Sequence, residues 1–68
     1  MIEVPEYVVD ALEYVRSTGL TNMFDSNNVI TIAFDAGYYN GADWIDNNKK
    51  FYVEALHALG DRLAKKDG

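Results

Sequence analysis

The sequence contains no cysteine and only one histidine. The missing cysteines exclude a disulfide framework, a thiolate metal site and a thiol nucleophile, and they suit a reducing compartment. His57 stands next to Leu56 in a helical pattern, and no spacing brings Ser17 or Ser26 to it in the fixed geometry of a catalytic triad. We therefore interpret His57 as a surface residue and expect no enzymatic activity.

Patterns that bind metals or phosphates are also missing. Residues 25–28 resemble the start of a calcium loop, but apolar residues stand at positions 29, 30 and 36, where that loop needs an oxygen ligand, a glycine and a glutamate. Asp43 and Asp46 are one helical turn apart but have no histidine near them in the sequence. The glycines are scattered, so no phosphate-cradling loop is present. We expect no metal and no cofactor.

Leader and membrane signals are absent in the same way. Residues 1–5 offer no basic stretch followed by an apolar one, as a signal peptide would. No uninterrupted apolar run approaches the roughly 20 residues that span a bilayer. The expectation is a cytoplasmic protein without a membrane partner.

The charge is unevenly distributed along the chain. Residues 1–48 hold eight acids and one base, a net charge of −7, whereas residues 49–68 hold five bases and three acids, a net charge of +2; the total is −5. The acidic part argues against a nucleic-acid partner, since phosphate binding needs several Lys or Arg side chains on one surface. It suits a basic protein partner, or solubility alone.

What is present indicates a small folded helical domain. Of the 68 residues, 49% are hydrophobic and 13% aromatic, which is too many for a disordered chain. Apolar residues recur at helical spacing over residues 5–17, 26–36 and 49–66, with a short helix predicted at 42–46 after a turn at 38–41. The predicted fold is all-α: one compact bundle of three to four helices spanning residues 1–68.

Residues suited to end or begin helices mark most of these boundaries. Gly19 and Gly37 fit the positions just after the first and second helices. Asp25, or the serine after it, fits the cap that opens the second helix, and one of the asparagines at 47 and 48 fits the cap of the last.

Three large apolar side chains lie in the connection between the first two helices: Leu20, Met23 and Phe24. We predict that they are buried as a plug between these helices; the alternative is a contact surface. Burial of such a side chain is worth roughly 1.5–3 kcal/mol, against a total stability of order 5 kcal/mol. Phe24→Ala is then expected to unfold the domain.

A candidate protein-binding surface combines an acidic stripe on the first helix with aromatic side chains: Glu3, Glu6, Tyr7, Asp10, Glu13, Tyr14, Tyr39 and Trp44. The alternative is structural. Acids near a helix start interact favourably with its dipole and are otherwise solvated, and the aromatic rings would cover the core.

Residues 32–38, followed by Trp44 and by Lys49-Lys50, are similar to a helix-turn-helix of the arabinose-regulator class. A recognition helix presents Arg, Lys, Asn or Gln to base edges. Residues 40–48 offer two aspartates and no cation. A small DNA-binding regulator is therefore the alternative function and not the first.

A longer resemblance begins with residues 15–25, which read VRSTGLTNMFD. The resemblance covers roughly residues 6–56 and is to a family of short phage and prophage proteins known as a domain of unknown function. Gly41-Ala42 departs from it, since bulkier residues are expected there. The resemblance implies a mobile-element origin and no known activity. We expect a non-enzymatic interaction protein that acts on a host or phage protein in the bacterial cytoplasm. A homodimer is also predicted, because pairing would bury more apolar surface.

Overall fold

The computed structural model describes residues 2–67, which form four α-helices and no strand. A 3-10 turn at Lys49–Phe51 precedes the last helix. The helices are α1 (Glu6–Thr18), α2 (Ser26–Asp35), α3 (Tyr39–Asn47) and α4 (Tyr52–Asp67). The predicted all-α bundle is confirmed.

Helix α1 lies at the centre of the packing and contacts each of the other three helices. Its inward face buries Val8, Leu12 and Val15 completely, as the predicted apolar stripe requires. The other helices complete this core with Val29, Ala33, Ala42, Ile45, Tyr52, Ala55 and Leu59. A stripe about 100° wide on each helix is enough to enclose the core.

Both predicted caps around the first connection are confirmed. Gly19 adopts a left-handed conformation with φ of 65°, and its N–H donates to the carbonyl oxygen of Arg16 at 3.3 Å. Asp25 Oδ1 accepts a hydrogen bond from the N–H of Asn28 at 3.3 Å. These bonds satisfy backbone groups that a helix end leaves without partners. Gly37, with φ of 94°, likewise turns the chain after α2.

The predicted turn at residues 38–41 is wrong, because α3 already begins at Tyr39. Gly41 is buried inside this helix, where it faces α1. A Cβ atom on Gly41 would lie 2.7 Å from Ala11 Cβ and 2.9 Å from the carbonyl oxygen of Tyr7. The missing side chain lets α1 and α3 approach closely, which offsets the roughly 1 kcal/mol that glycine costs in a helix.

The start of the last helix also differs from the prediction. Residues 49–51 form a 3-10 turn, so α4 begins only at Tyr52. Asn48 does not cap it: its side-chain Nδ2 donates to the carbonyl oxygen of Trp44 at 2.9 Å. The amide therefore satisfies a free carbonyl at the end of α3, one of the groups that has no partner within its own helix.

The predicted burial of Leu20 and Phe24 is wrong. Leu20 is 72% exposed and Phe24 80% exposed; of the three predicted plug residues, only Met23 packs partly against the core. The backbone of the connection turns on local polar bonds. The N–H of Leu20 donates to Thr18 Oγ1 at 3.2 Å, and the N–H of Phe24 donates to Asn22 Oδ1 at 2.8 Å. These turns direct both apolar side chains outward.

Candidate protein-binding surfaces

The predicted surface residues differ in how far their side chains are exposed. Glu3, Glu6, Tyr7, Asp10 and Tyr14 are exposed on or just before α1, and Tyr39 is exposed on α3. Glu13 is half-buried. Trp44 is half-buried too and packs against the core, so it contributes little to any external surface.

Half of the acidic stripe is bound to α4. Arg62 Nη1 lies 2.6 Å from Asp10 Oδ1 and 3.3 Å from Glu13 Oε1, and Lys66 Nζ bonds Glu13 Oε2. The hydrogen bonds from Lys66 and from Arg62 lower the pKa of Glu13. The bond to Asp10, with a smaller contribution from Glu13, raises the pKa of Arg62. These carboxylates therefore join α1 to α4.

The remaining acids of the stripe are in a different situation. Within residues 2–67, Glu3 and Glu6 make no ion pair. They are exposed at the start of α1, where a negative charge interacts favourably with the helix dipole. Of the four predicted acids, these two are the ones without a direct ion pair in the described residues.

An aromatic surface extends across the turn between α2 and α3. The rings of Tyr14 and Tyr38 are stacked with centroids 5.2 Å apart and an interplanar angle of 29°. Phe34 and Tyr39 pack edge to face, with ring centroids 4.9 Å apart and an interplanar angle of 69°. We call Tyr14, Phe34, Tyr38 and Tyr39 the aromatic surface. Phe34 stands on the flank of the apolar stripe of α2 and is 55% exposed, whereas Tyr38 is half-buried and packs partly against the core.

The connection at residues 19–25, here the apolar loop, is the most exposed apolar feature. Tyr52 Oη donates a 2.5 Å hydrogen bond to the carbonyl oxygen of Met23, which fastens the middle of the loop to α4. Burial, and then the negative charge of Asp25, raise the pKa of Tyr52 to about 12. With its backbone fixed in this way, the loop displays Leu20 and Phe24 to solvent.

An open groove lies between α2 and α3. Ile30, Phe34 and Ala42 line its apolar part, and Asp43 and Asp46 line its edge. We call these five residues the acidic groove. Sequence analysis noted that the two aspartates are one turn apart but did not join them to α2. Ile30 and Phe34 come from α2, and Ala42 lies on α3 beside the aspartates.

The described part of the chain shows neither a metal site nor a membrane-spanning helix. Across residues 2–67, no three His, Asp or Glu side chains come together as a metal ion would need. Nor does any helix there have both the length and the apolar character to cross a membrane. His57 is exposed on α4. The surfaces that can be argued from geometry are therefore the aromatic surface, the apolar loop and the acidic groove.

Comparison with known proteins gives one match. A family model described as a domain of unknown function (DUF5049) matches residues 4–56. No curated protein and no solved structure matches the chain. The matched region contains the apolar loop, the aromatic surface and the acidic groove, whereas Arg62 and Lys66 lie beyond it.

Proposed function

We propose that this chain, which belongs to the DUF5049 family, is a non-enzymatic module that binds another protein. The observation that carries the proposal is the apolar loop, where Leu20 and Phe24 are 72% and 80% exposed. Single apolar residues on a surface are ordinary, but two large exposed ones on one short structured loop resemble the anchor of an interface.

The way the loop is built supports a binding role. Each of its turns is fixed by a polar group: Thr18 and Asn22 accept backbone N–H bonds, and Tyr52 donates to the carbonyl oxygen of Met23. A loop already ordered before binding loses little conformational entropy on association. Leu20 and Phe24 are thus presented in one arrangement, which favours recognition of a particular partner.

The aromatic surface supports the same conclusion. Tyrosine is enriched among residues that dominate binding energy, because its ring buries a large area with few rotatable bonds. Tyr7, Tyr14 and Tyr39 are exposed, and ring packing holds the latter two in place. Glu3 and Glu6 add exposed negative charge at the start of α1, close in sequence to Tyr7, which suits a partner with basic residues.

The family resemblance of residues 15–25 adds a biological setting to the proposal. It supports a protein of a phage or prophage that acts in the cytoplasm of a bacterial host on a host or phage protein. The homodimer stays a prediction. Static light scattering at high micromolar concentration tests it, and the mass of a single chain would contradict it.

The DNA-binding alternative rests on the order α2, turn at Gly37, α3. Its weakness is electrostatic, since α3 carries Asp43 and Asp46 and no cation. Lys49 is already engaged: its Nζ donates to Asn27 Oδ1 at 2.9 Å and lies 3.7 Å from Asp46 Oδ1. A gel shift with duplex DNA at low salt tests this function. A shift lost on Lys49→Glu with Lys50→Glu would favour the regulator.

The protein-binding function is tested by affinity purification from infected cells with three forms of the protein. These are the wild type, the double variant Leu20→Ala with Phe24→Ala, and the control Lys65→Ala, which shortens an exposed side chain in the last turn of α4. We expect one partner to be retained by the wild type and the control and lost by the double variant. Retention of the same partner by all three forms would overturn the role of the loop.

A further inference from the structure

We propose that the acidic groove between α2 and α3 receives a basic amphipathic segment of the partner protein. Such a segment carries a large apolar side chain flanked by Lys or Arg. This inference rests on the proposed protein-binding function and deepens it, because it names the chemistry of the partner. It concerns a surface different from the apolar loop, so the two can fail separately.

The shape of the groove sets the apolar part of the match. Ala42 is buried where α3 packs on α2, and its short side chain leaves a depression beside Ile30 and Phe34. Ile30 is half-buried and Phe34 is 55% exposed, so apolar surface remains in contact with water. A Leu, Met or Phe side chain of a partner would cover that surface and remove it from water.

The charge of the edge sets the polar part. Asp43 is exposed and makes no ion pair within residues 2–67. Asp46 is also exposed, and its Oδ1 lies 3.7 Å from Lys49 Nζ. The same Nζ donates a shorter hydrogen bond, of 2.9 Å, to Asn27 Oδ1. The excess of negative charge here is complementary to Lys and Arg.

The aromatic pair strengthens the preference for a cation. Phe34 and Tyr39 are 55% and 58% exposed, and they pack edge to face next to the aspartates. An Arg or Lys side chain that reaches Asp43 would also pass over an aromatic ring, where a cation is attracted to the ring face. The apolar depression, the carboxylates and the rings together are complementary to one side of a basic amphipathic helix.

The same features argue against nucleic acid in the groove. Duplex DNA presents a dense row of phosphates, and the exposed edge of α3 would place two carboxylates against them. The helices that resemble a helix-turn-helix thus carry negative charge, which suits a basic protein and not DNA. Binding of duplex DNA at this groove is one result that would overturn the inference.

The test uses a fluorescein-labelled synthetic peptide of helical spacing, with Leu on one face and Arg on the others. One control peptide replaces every Arg by Glu, and a second replaces every Leu by Ala. Fluorescence anisotropy measures binding to the full chain, and amide chemical-shift changes locate it. We expect binding of the first peptide only, with shifts centred on α2 and α3.

Matched variants of the protein give the sharper comparison. Asp43→Asn with Asp46→Asn keeps the shape of the groove and removes its charge, so the affinity for the Leu/Arg peptide should fall by about tenfold or more. Asp61→Asn removes an exposed charge on α4, outside the groove, and should change the affinity for the Leu/Arg peptide by less than about twofold. Thermal melts check that all forms are folded; the replaced side chains are exposed, so they should be.

Besides the binding of duplex DNA at the groove, three results of these experiments would overturn the inference. They are equal binding of the Leu→Ala peptide, shifts centred on α1 or α4, and no effect of the double aspartate variant. The proposed function stands or falls separately, on the dependence of partner capture on Leu20 and Phe24. Loop-dependent capture without groove binding would reject the groove alone, and loss of both would reject both.

Discussion

Tyr52 donates its phenolic hydrogen to the main-chain oxygen of Met23, 29 residues earlier in the chain, at 2.5 Å. This bond joins the start of α4 to the middle of the apolar loop. It places the backbone of the loop, and not its large side chains, against the bundle. The contact therefore explains how Leu20 and Phe24 remain outside while Met23 packs partly inside.

The first prediction concerns this bond. Tyr52→Phe removes only the hydroxyl, so the free energy of unfolding should fall by about 1 kcal/mol near neutral pH. Urea denaturation of both proteins measures the difference. An unchanged midpoint would show that the hydrogen bond does not stabilise the fold.

The pH dependence of the same pair is the second prediction. Tyr52 has a pKa of about 12 in the folded chain against an ordinary value of 10.0, so above pH 10 the folded state holds its proton more tightly than the unfolded state. Stability is then lost as the pH rises from 10 to 12. With solvent screening, the wild type should lose roughly 1–2 kcal/mol relative to Tyr52→Phe. Urea titrations of the two proteins across this range measure the difference, and parallel curves would contradict the prediction.

The third prediction separates surface from core. Phe24→Ala should shift the melting temperature by less than about 4 °C, because surface substitutions usually change stability by under 0.5 kcal/mol. Leu12→Ala removes a fully buried side chain and should cost about 2–5 kcal/mol, close to the whole stability of so small a domain. Circular dichroism melts compare them. Unfolding of Phe24→Ala would restore the plug interpretation.

The fourth prediction compares two helical glycines. Gly41→Ala forces a Cβ atom to within 2.7 Å of Ala11 Cβ and 2.9 Å of a main-chain oxygen, so the two helices must move apart. A loss of about 1–3 kcal/mol should follow. Gly60→Ala meets open space and should stabilise α4 by roughly 0.5–1 kcal/mol. Equal effects of the two substitutions in thermal melts would refute the close approach of α1 and α3.

The fifth prediction concerns acid stability. The pKa of Glu13 is lowered below 4.5 by Lys66 and Arg62, so its pairing stabilises the fold above pH 4.5 and is lost as the pH falls through the lowered value. Glu13→Gln should lack this part of the acid sensitivity and should be less stable than the wild type at neutral pH. Thermal melts of both proteins from pH 2 to 7, repeated at high salt, measure the difference in stability. High salt should narrow the difference, since these charges are near the surface.

The end of α1 and the start of α2 were predictable because their chemistry is local. Gly19 and Asp25 act on backbone groups no more than three residues away, so the sequence around each was sufficient. Gly41 was mistaken for a turn residue because its role depends on Ala11, 30 positions earlier. A local pattern carries no information about such a distant neighbour.

The direction of apolar side chains was the harder problem. Hydrophobicity predicted that Leu20 and Phe24 are buried, but the core needed neither of them. The available signal was polar. Thr18 and Asn22 are suited to accept a hydrogen bond from the backbone N–H two residues later, and such turns fix the direction of the side chain on the donating residue. The acidic stripe was found from spacing, whereas its partners Arg62 and Lys66 required the folded chain.

Asp10 and Arg62 meet across 52 positions of the sequence, and this has a consequence for how the molecule is made. During translation α1 leaves the ribosome before α4. Residues 1–48 carry a net charge of −7, and a nascent chain that ends at residue 48 lacks the helix that supplies Tyr52, Ala55 and Leu59 to the core. Until α4 has been synthesised, part of the apolar face of α1 stays uncovered, so the nascent chain is open to chaperones and proteases up to that point.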